Sequence, residues 1–128
     1  MPSWDEIQDH MRGNYHLEDD APDFVSMVWT YEDGRSQKIV VRQYVAYDRE
    51  LVEFKSAFAR LGDVEPAEML RKNNELPFAT IALAGNVYVV VYNALLENLH
   101  VDDFDFALSR VAAVADTLEE KYVIDDEF

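Results

Sequence analysis

One turn sequence, Asp33-Gly34, constrains the fold of this chain more than any other feature. It separates two segments, residues 24–31 and 35–45, that are rich in the valine and aromatic residues that favour strands. Aspartate followed by glycine readily adopts the positive φ angles that a two-residue hairpin turn requires. The sequence therefore predicts an antiparallel hairpin with a two-residue loop, and the cross-strand partners follow by counting outward from the turn.

This register predicts a surface that binds a partner. Counting places Val28 opposite Ile39 on one face of the hairpin and Trp29 opposite Lys38 on the other. The second face mixes large apolar side chains with cations, and exposed apolar patches usually mark partner sites. The predicted contact residues are Met27, Trp29, Tyr31, Lys38 and Arg42. Two alternatives stay open, since helices of the same chain or the aliphatic stems of lysine and arginine would also cover this face.

The rest of the chain predicts three helices and three more strands. The strands are expected at residues 52–58, 78–84 and 87–93, and the helices at residues 3–14, at residues 65–74 and from Asp102 or Asp103 onward. The third helix has the clearest apolar stripe, which comprises Phe104, Leu108, Val111, Ala115, Leu118 and Tyr122. A loop is expected at residues 19–22. The order αβββαββα predicts one α+β domain over residues 1–128, with helices packed on an antiparallel sheet.

Charge and composition limit the classes of partner. The formal net charge is −15, and such a field repels phosphate backbones and anionic lipids, so we expect neither nucleic acid nor membrane as a partner. The bases concentrate at residues 35–60, which hold six bases and three acids. The acidic start and the absence of a long apolar segment argue against a signal peptide and a membrane helix. We therefore expect a cytoplasmic protein, and the lack of cysteine agrees with a reducing compartment.

No arrangement of residues marks a catalytic or metal site. The three histidines have no second histidine at ligand spacing, and the chain has neither a phosphate-binding glycine loop nor a nucleophile elbow. Asp102, Asp103 and Asp105 lack the central glycine of a calcium loop. The acidic residues 125–127 are expected to form a solvated tail. We predict that the protein is not an enzyme and that it has no metal or cofactor.

Three stretches of the chain together resemble a known family. They are residues 33–37 (DGRSQ), residues 70–78 (LRKNNELPF), and residues 115–120 (ADTLEE) followed by the terminal Asp126-Glu127-Phe128. In this order they resemble the YbjN-type family of bacterial proteins, described as sensory-transduction regulators. That family is similar in fold to the type III secretion chaperones of the CesT/Tir class. One departure is Ala79, where the family pattern implies glycine after the aromatic residue.

The resemblance implies a function without catalytic residues. Those chaperones are small, acidic homodimers that hold an extended segment of a client protein. Our leading hypothesis is a non-catalytic protein-binding module, chaperone-like or regulatory, that forms a homodimer and holds a segment of a partner protein. The alternative is a sensory regulator that binds a small molecule in a pocket between the sheet and the C-terminal helix.

Overall fold

Residues 2–123 and 128, which the computed structural model describes, form three helices and one six-stranded sheet. The helices are α1 (Trp4–Asn14), α2 (Pro66–Glu75) and α3 (Val101–Tyr122). The strands are β1 (Leu17–Asp20), β2 (Phe24–Thr30), β3 (Ser36–Ala46), β4 (Arg49–Arg60), β5 (Thr80–Ala84) and β6 (Val87–Leu95). They lie in the order β1-β2-β3-β4-β6-β5, and every neighbouring pair is antiparallel. The α+β prediction is confirmed.

All three helices pack on one face of the sheet, which we call the core face. Alternate strand residues project from it into a single cluster, among them Val25, Ile39, Val41, Phe54 and Val90. The predicted stripe of α3 supplies the opposite side of this cluster, where Phe104, Leu108 and Val111 are fully buried. The four-and-three spacing of these residues therefore turns one side of the helix toward the sheet along its whole length.

The first hairpin has a three-residue loop, so its predicted register is wrong. The Tyr31 N–H donates to the Arg35 carbonyl at 2.8 Å, and the Gly34 N–H donates to the Tyr31 carbonyl at 3.0 Å. The φ angle of Gly34 is 87°, which suits the left-handed residue that follows a type I turn in such loops. Asp-Gly serves this loop as well as a two-residue one, but the additional residue moves every cross-strand partner by one position.

The changed register exchanges the faces of β2 relative to β3. Met27 pairs with Ile39, and Val28 pairs with Lys38. Because side chains alternate between faces along a strand, a shift of one residue moves a whole set of side chains to the other side. Met27 and Trp29 consequently lie on the core face, whereas Lys38 and Arg42 lie on the opposite one.

The second hairpin has the predicted register. Gly85-Asn86 forms its two-residue loop, Leu83 pairs with Tyr88, and Ile81 pairs with Val90. The strand begins at Thr80, so the predicted pairing of Ala79 with Tyr92 does not form part of the ladder.

One strand, β1, occupies a segment that the sequence predicted as a loop. Its sequence, Leu-Glu-Asp-Asp, has no apolar alternation, yet it pairs with β2. Side chains from other elements hold it in place: Arg12 of α1 donates to Asp20 at 2.7 Å, and Lys38 of β3 donates to Glu18 at 3.1 Å. The sheet therefore has one strand more than the order αβββαββα includes.

Candidate partner-binding surfaces

The five residues of the predicted partner surface lie on two faces of the sheet. Met27 is 4 % exposed and belongs to the core, and Trp29 is half-buried beside it. The Tyr31 hydroxyl is buried without a hydrogen-bond partner among the described residues, and burial raises the pKa of Tyr31 to about 12. Only Lys38 and Arg42 project from the other face. The predicted set therefore does not form one surface, and partner binding by Lys38 and Arg42 stays a prediction.

The second face of the sheet, which we call the outer face, is not covered by the helices of residues 2–123. The apolar cluster to which all three helices contribute contains no side chain of this face. The outer face nevertheless has an apolar strip across its central strands, which consists of Val40, Ala57, Val89 and Val91. An antiparallel sheet usually carries polar residues on its water-facing side, so this strip is unusual for a surface without a partner.

Cations and one buried acid border the apolar strip. Arg42 donates to Glu53 at 2.9 Å, and the Lys55 ammonium lies 3.3 Å from the same carboxylate oxygen. Burial raises the pKa of Glu53, but the hydrogen bond from Arg42 and the charge of Lys55 outweigh it, so the pKa lies below its ordinary value. Glu53 stays ionised at neutral pH and fixes the two cations at the border of the strip.

The sheet has a gap where β3 and β4 separate. Their ladder extends only as far as Val40 and Lys55, so residues 37–39 do not pair with β4 in the ladder. Gln37 bridges the gap by donating to the Ser56 hydroxyl at 2.9 Å and to a backbone carbonyl of β4. The Ser56 hydroxyl donates in turn to the Lys38 carbonyl at 2.7 Å. The remaining backbone group of Lys38, its N–H, points into the gap.

Phe128 lies in this gap. Its carbonyl accepts a hydrogen bond from the Lys38 N–H at 3.3 Å, and its own N–H donates to Glu119 at 2.7 Å. The Arg60 guanidinium lies 5.3 Å from the centre of the Phe128 ring. Phe128 also lines a shallow pocket of about 300 Å³ on the outer face, whose other walls are Lys38, Val40, Lys55, Ala57 and Val89. The predicted acidic tail at residues 125–127 lies outside the described residues.

A buried ionic cluster anchors Phe128 to α3. Glu119 is 0 % exposed and accepts a hydrogen bond from Arg35 at 3.0 Å, and Arg35 also donates to Asp116 at 2.9 Å. A buried carboxylate is stable only when it is paired and hydrogen-bonded. These residues lie in two of the stretches that resemble the YbjN-type family, but no motif indicates that Arg35 of the first hairpin meets Glu119 of the last helix.

A second apolar surface, which we call the β5 margin, is exposed and comprises the outer edge of β5 with Leu70 and Leu83. Leu70 of α2 is 72 % exposed, and the two leucines line a small apolar pocket of about 150 Å³. The amide side chain of Asn73 covers the backbone at one position, because it accepts from the Ile81 N–H at 2.8 Å and donates to the Ile81 carbonyl at 3.4 Å. Asn73 does not cover the backbone of β5 at Leu83 in this way.

Three aromatic rings and one acid line a cleft between β6 and the start of α3. The cleft has a volume of about 400 Å³, and Phe78, Tyr92, Phe106 and Asp103 are among its walls. Phe78 stacks on Tyr92 with 4.0 Å between ring centres, and Phe106, 53 % exposed, meets Phe78 edge-on at 5.1 Å. Phe78 has a φ angle of 70°, which is strained for an aromatic residue. This cleft lies where we predicted a pocket between the sheet and the C-terminal helix.

The described residues also lack two features on which other functions depend. In residues 2–123 and 128, no three histidine, aspartate or glutamate side chains gather closely enough to hold a metal ion. No helix in that part of the chain is long and apolar enough to cross a membrane.

The chain matches no protein-family model, and no curated protein matches it. The resemblance to the YbjN-type family therefore stays a prediction.

Proposed function

We propose that this protein is a cytoplasmic, non-catalytic protein-binding module that holds a segment of a partner protein on its outer face. The observation that carries the proposal is the apolar strip on a sheet face that no helix of residues 2–123 covers. Apolar patches with a polar border are typical of interaction sites, and here Lys38, Arg42 and Lys55 form that border. Within the strip, Val89 is buried, and Val40, Ala57 and Val91 are half-buried.

The form of the outer face favours an extended segment over a compact ligand. Its pocket continues into a gap where the Lys38 backbone N–H already donates a hydrogen bond to the backbone carbonyl of one residue, Phe128. Backbone hydrogen bonds of this kind give affinity for a strand-like segment, while neighbouring pockets select its side chains. The chain resembles the YbjN-type family, which is similar in fold to the secretion chaperones, and those chaperones hold extended client segments.

Selection from a random peptide library displayed on phage tests this proposal without a known partner. We expect peptides that bind the intact chain, and we expect Lys55→Glu to weaken them at least about tenfold because it reverses a charge beside the strip. Lys72→Glu is the matched control, since Lys72 has a similar exposure but lies on α2. Failure to enrich any peptide, or equal effects of the two variants, would contradict the proposal.

We further propose that two copies of the chain form a homodimer through the β5 margin. Although each copy has a net charge of −15, β5 has the sequence Thr-Ile-Ala-Leu-Ala and brings no charge to the contact. Exposed edge strands pair with other strands unless charge or a cover prevents it, and a two-fold axis lets the same edge meet itself. Leu70 and Leu83 of each copy then cover each other.

Sedimentation velocity tests the dimer. We expect a dimer for the intact chain and a monomer for the double variant Leu70→Asp, Leu83→Asp, with unchanged circular dichroism. Val45→Asp is the control, because Val45 is about as exposed as Leu70 but lies near the β3–β4 turn, far from β5 along the sheet. A double variant that stays dimeric, or an intact chain that is monomeric, would contradict the assignment of the β5 margin.

The aromatic cleft supports a second candidate function, that of a small-molecule sensor. Its three rings and Asp103 suit an organic cation, since ring faces attract cations and the protein is strongly acidic. Thermal-shift screening with quaternary ammonium compounds tests this function, because a ligand that binds only the folded state raises the melting temperature. The shift should disappear in Phe106→Ala. A screen without any shift would remove this candidate.

A further inference from the structure

We infer that the pocket and gap of the outer face recognise an aromatic residue from an acidic, extended segment, and that Phe128 occupies this site in cis. The inference rests on the proposed function and adds to it the chemistry of the partner and a means of regulation. Its basis is the set of contacts that Phe128 makes with β3, β4 and α3.

The backbone of Phe128 replaces part of the missing β3–β4 ladder. The Lys38 N–H has no partner in β4, and the Phe128 carbonyl accepts from it. Glu119, which is fully buried, accepts from the Phe128 N–H, so both backbone groups of this one residue are bonded to the protein. A segment that crosses the gap therefore gains two hydrogen bonds at a single residue, one of them to a charged acceptor, which is the stronger kind.

The surroundings of Phe128 select an aromatic side chain. The Arg60 guanidinium lies within cation–π distance of the ring, at 5.3 Å from its centre. The adjoining pocket has an apolar floor, in which Val89 is 4 % exposed although it does not belong to the core cluster. About 300 Å³ of this pocket stays open beside Phe128, enough for another side chain of the same segment.

Charge selects an acidic segment. The site lies among Lys38, Lys55 and Arg60, which belong to the basic part of a chain whose net charge is −15. Phe128 is preceded in the sequence by Asp125, Asp126 and Glu127, so the chain itself carries an aromatic residue next to three acids. Opposite charges on a ligand and its site raise the association rate and disfavour other partners.

Because Phe128 occupies the site, a partner binds with a lower apparent affinity than it would have for the empty site. A site that is free for only a fraction of the time binds an external segment more weakly by that fraction. A partner therefore has to displace Phe128, and removal of the Phe128 ring should increase the affinity of every ligand of this site.

The experiment measures binding of the peptide Val-Ile-Asp-Asp-Glu-Phe, acetylated and amidated at its ends, to the full chain by fluorescence polarisation. We expect the Phe128→Ala protein to bind this peptide at least about tenfold more tightly than the intact protein does. The peptide with alanine in place of phenylalanine should not bind, and Lys55→Glu in the Phe128→Ala background should weaken binding at least about tenfold. Lys72→Glu in the same background should leave it unchanged.

Two results would overturn the inference. One is equal affinity of the intact and Phe128→Ala proteins for the peptide, and the other is binding that does not depend on the phenylalanine of the peptide. Peptides selected from the random library separate this inference from the proposed function. If selected peptides bind the outer face but the acidic peptide does not compete with them, the inference fails and the proposed function stands.

Discussion

Both faces of the sheet carry apolar residues, but the helices pack on the core face only. On β3, Val41 is fully buried under the helices, while its neighbour Val40 is half-buried on the outer face. On β6, Val90 and Val91 differ in the same way. The helices pack on the core face because the largest side chains project from it. One of these is Phe54, whose ring centre lies 5.3 Å from that of Phe104 in α3. Apolar alternation alone therefore does not identify the buried face of a strand.

The largest expected effect is on the core side. Phe54→Ala should lower the free energy of unfolding by about 4 kcal/mol, because it removes a fully buried ring and leaves a cavity. Val91→Ala, on the neighbouring strand but on the outer face, should lower it by about 1 kcal/mol or less. Urea denaturation of both variants measures the difference. Similar losses in the two variants would show that the outer face is as well covered as the core.

The sequence predicted that Trp29 belongs to the partner surface. It lies on the core side, with its ring centre 6.0 Å from that of Tyr15. Trp29→Ala should lower the free energy of unfolding by about 2 kcal/mol, less than a fully buried tryptophan, and should leave peptide binding unchanged. Denaturation and fluorescence polarisation measure the two quantities. Unchanged stability with weakened binding would return Trp29 to the partner surface.

A smaller effect is expected at Tyr15. Its hydroxyl donates to Asp105 at 2.9 Å, and burial, with that hydrogen bond, raises the pKa of Tyr15 to about 12. Tyr15→Phe should therefore lower the free energy of unfolding by about 1 kcal/mol at neutral pH. Tyr31→Phe is the control and should cost less than about 0.5 kcal/mol, since the Tyr31 hydroxyl has no partner among the described residues. Denaturation midpoints that rank the two variants in the opposite order would contradict this assignment.

The same two tyrosines predict a loss of stability in alkali. A tyrosine whose pKa is higher in the folded state than in the unfolded state stabilises the protein below the unfolded value, near 10, and loses this contribution as pH rises toward the folded value. Since the pKa values of Tyr15 and Tyr31 lie at about 12, the loss should fall between about pH 10 and pH 12. Each Tyr→Phe variant should show a shallower loss over this range.

Local patterns predicted those parts of the fold that local residues determine. The apolar stripe predicted which side of α3 is buried, and Gly85-Asn86 predicted the register of the second hairpin. Asp33-Gly34 predicted a turn at the right place but left its length undetermined, because the same dipeptide fits loops of two and three residues. The additional residue in this loop determines which side chains of β2 face the core.

Local sequence patterns could not predict the site on the outer face, because it depends on contacts between separate parts of the chain. The bonds of Phe128 to Lys38 and Glu119 join residues 90 and 9 positions apart, and they require the β3–β4 gap, which no local pattern marks. β1 is a similar case, since Arg12 and Lys38 hold an acidic segment without strand-like alternation. The cue that the sequence does contain is a lone phenylalanine after three acids, in a chain whose bases concentrate elsewhere.

Methyl NMR of the valines and leucines in the Phe128→Ala protein, during titration with the acidic peptide, shows which face of the sheet binds the peptide. The peptide should shift the signals of Val40, Val89 and Val91, and it should leave those of Val25, Val41 and Val90 at their positions, because the two sets lie on opposite faces of the sheet. Shifts confined to the second set, or to residues of the β5 margin, would contradict the claim that the outer face is the partner surface.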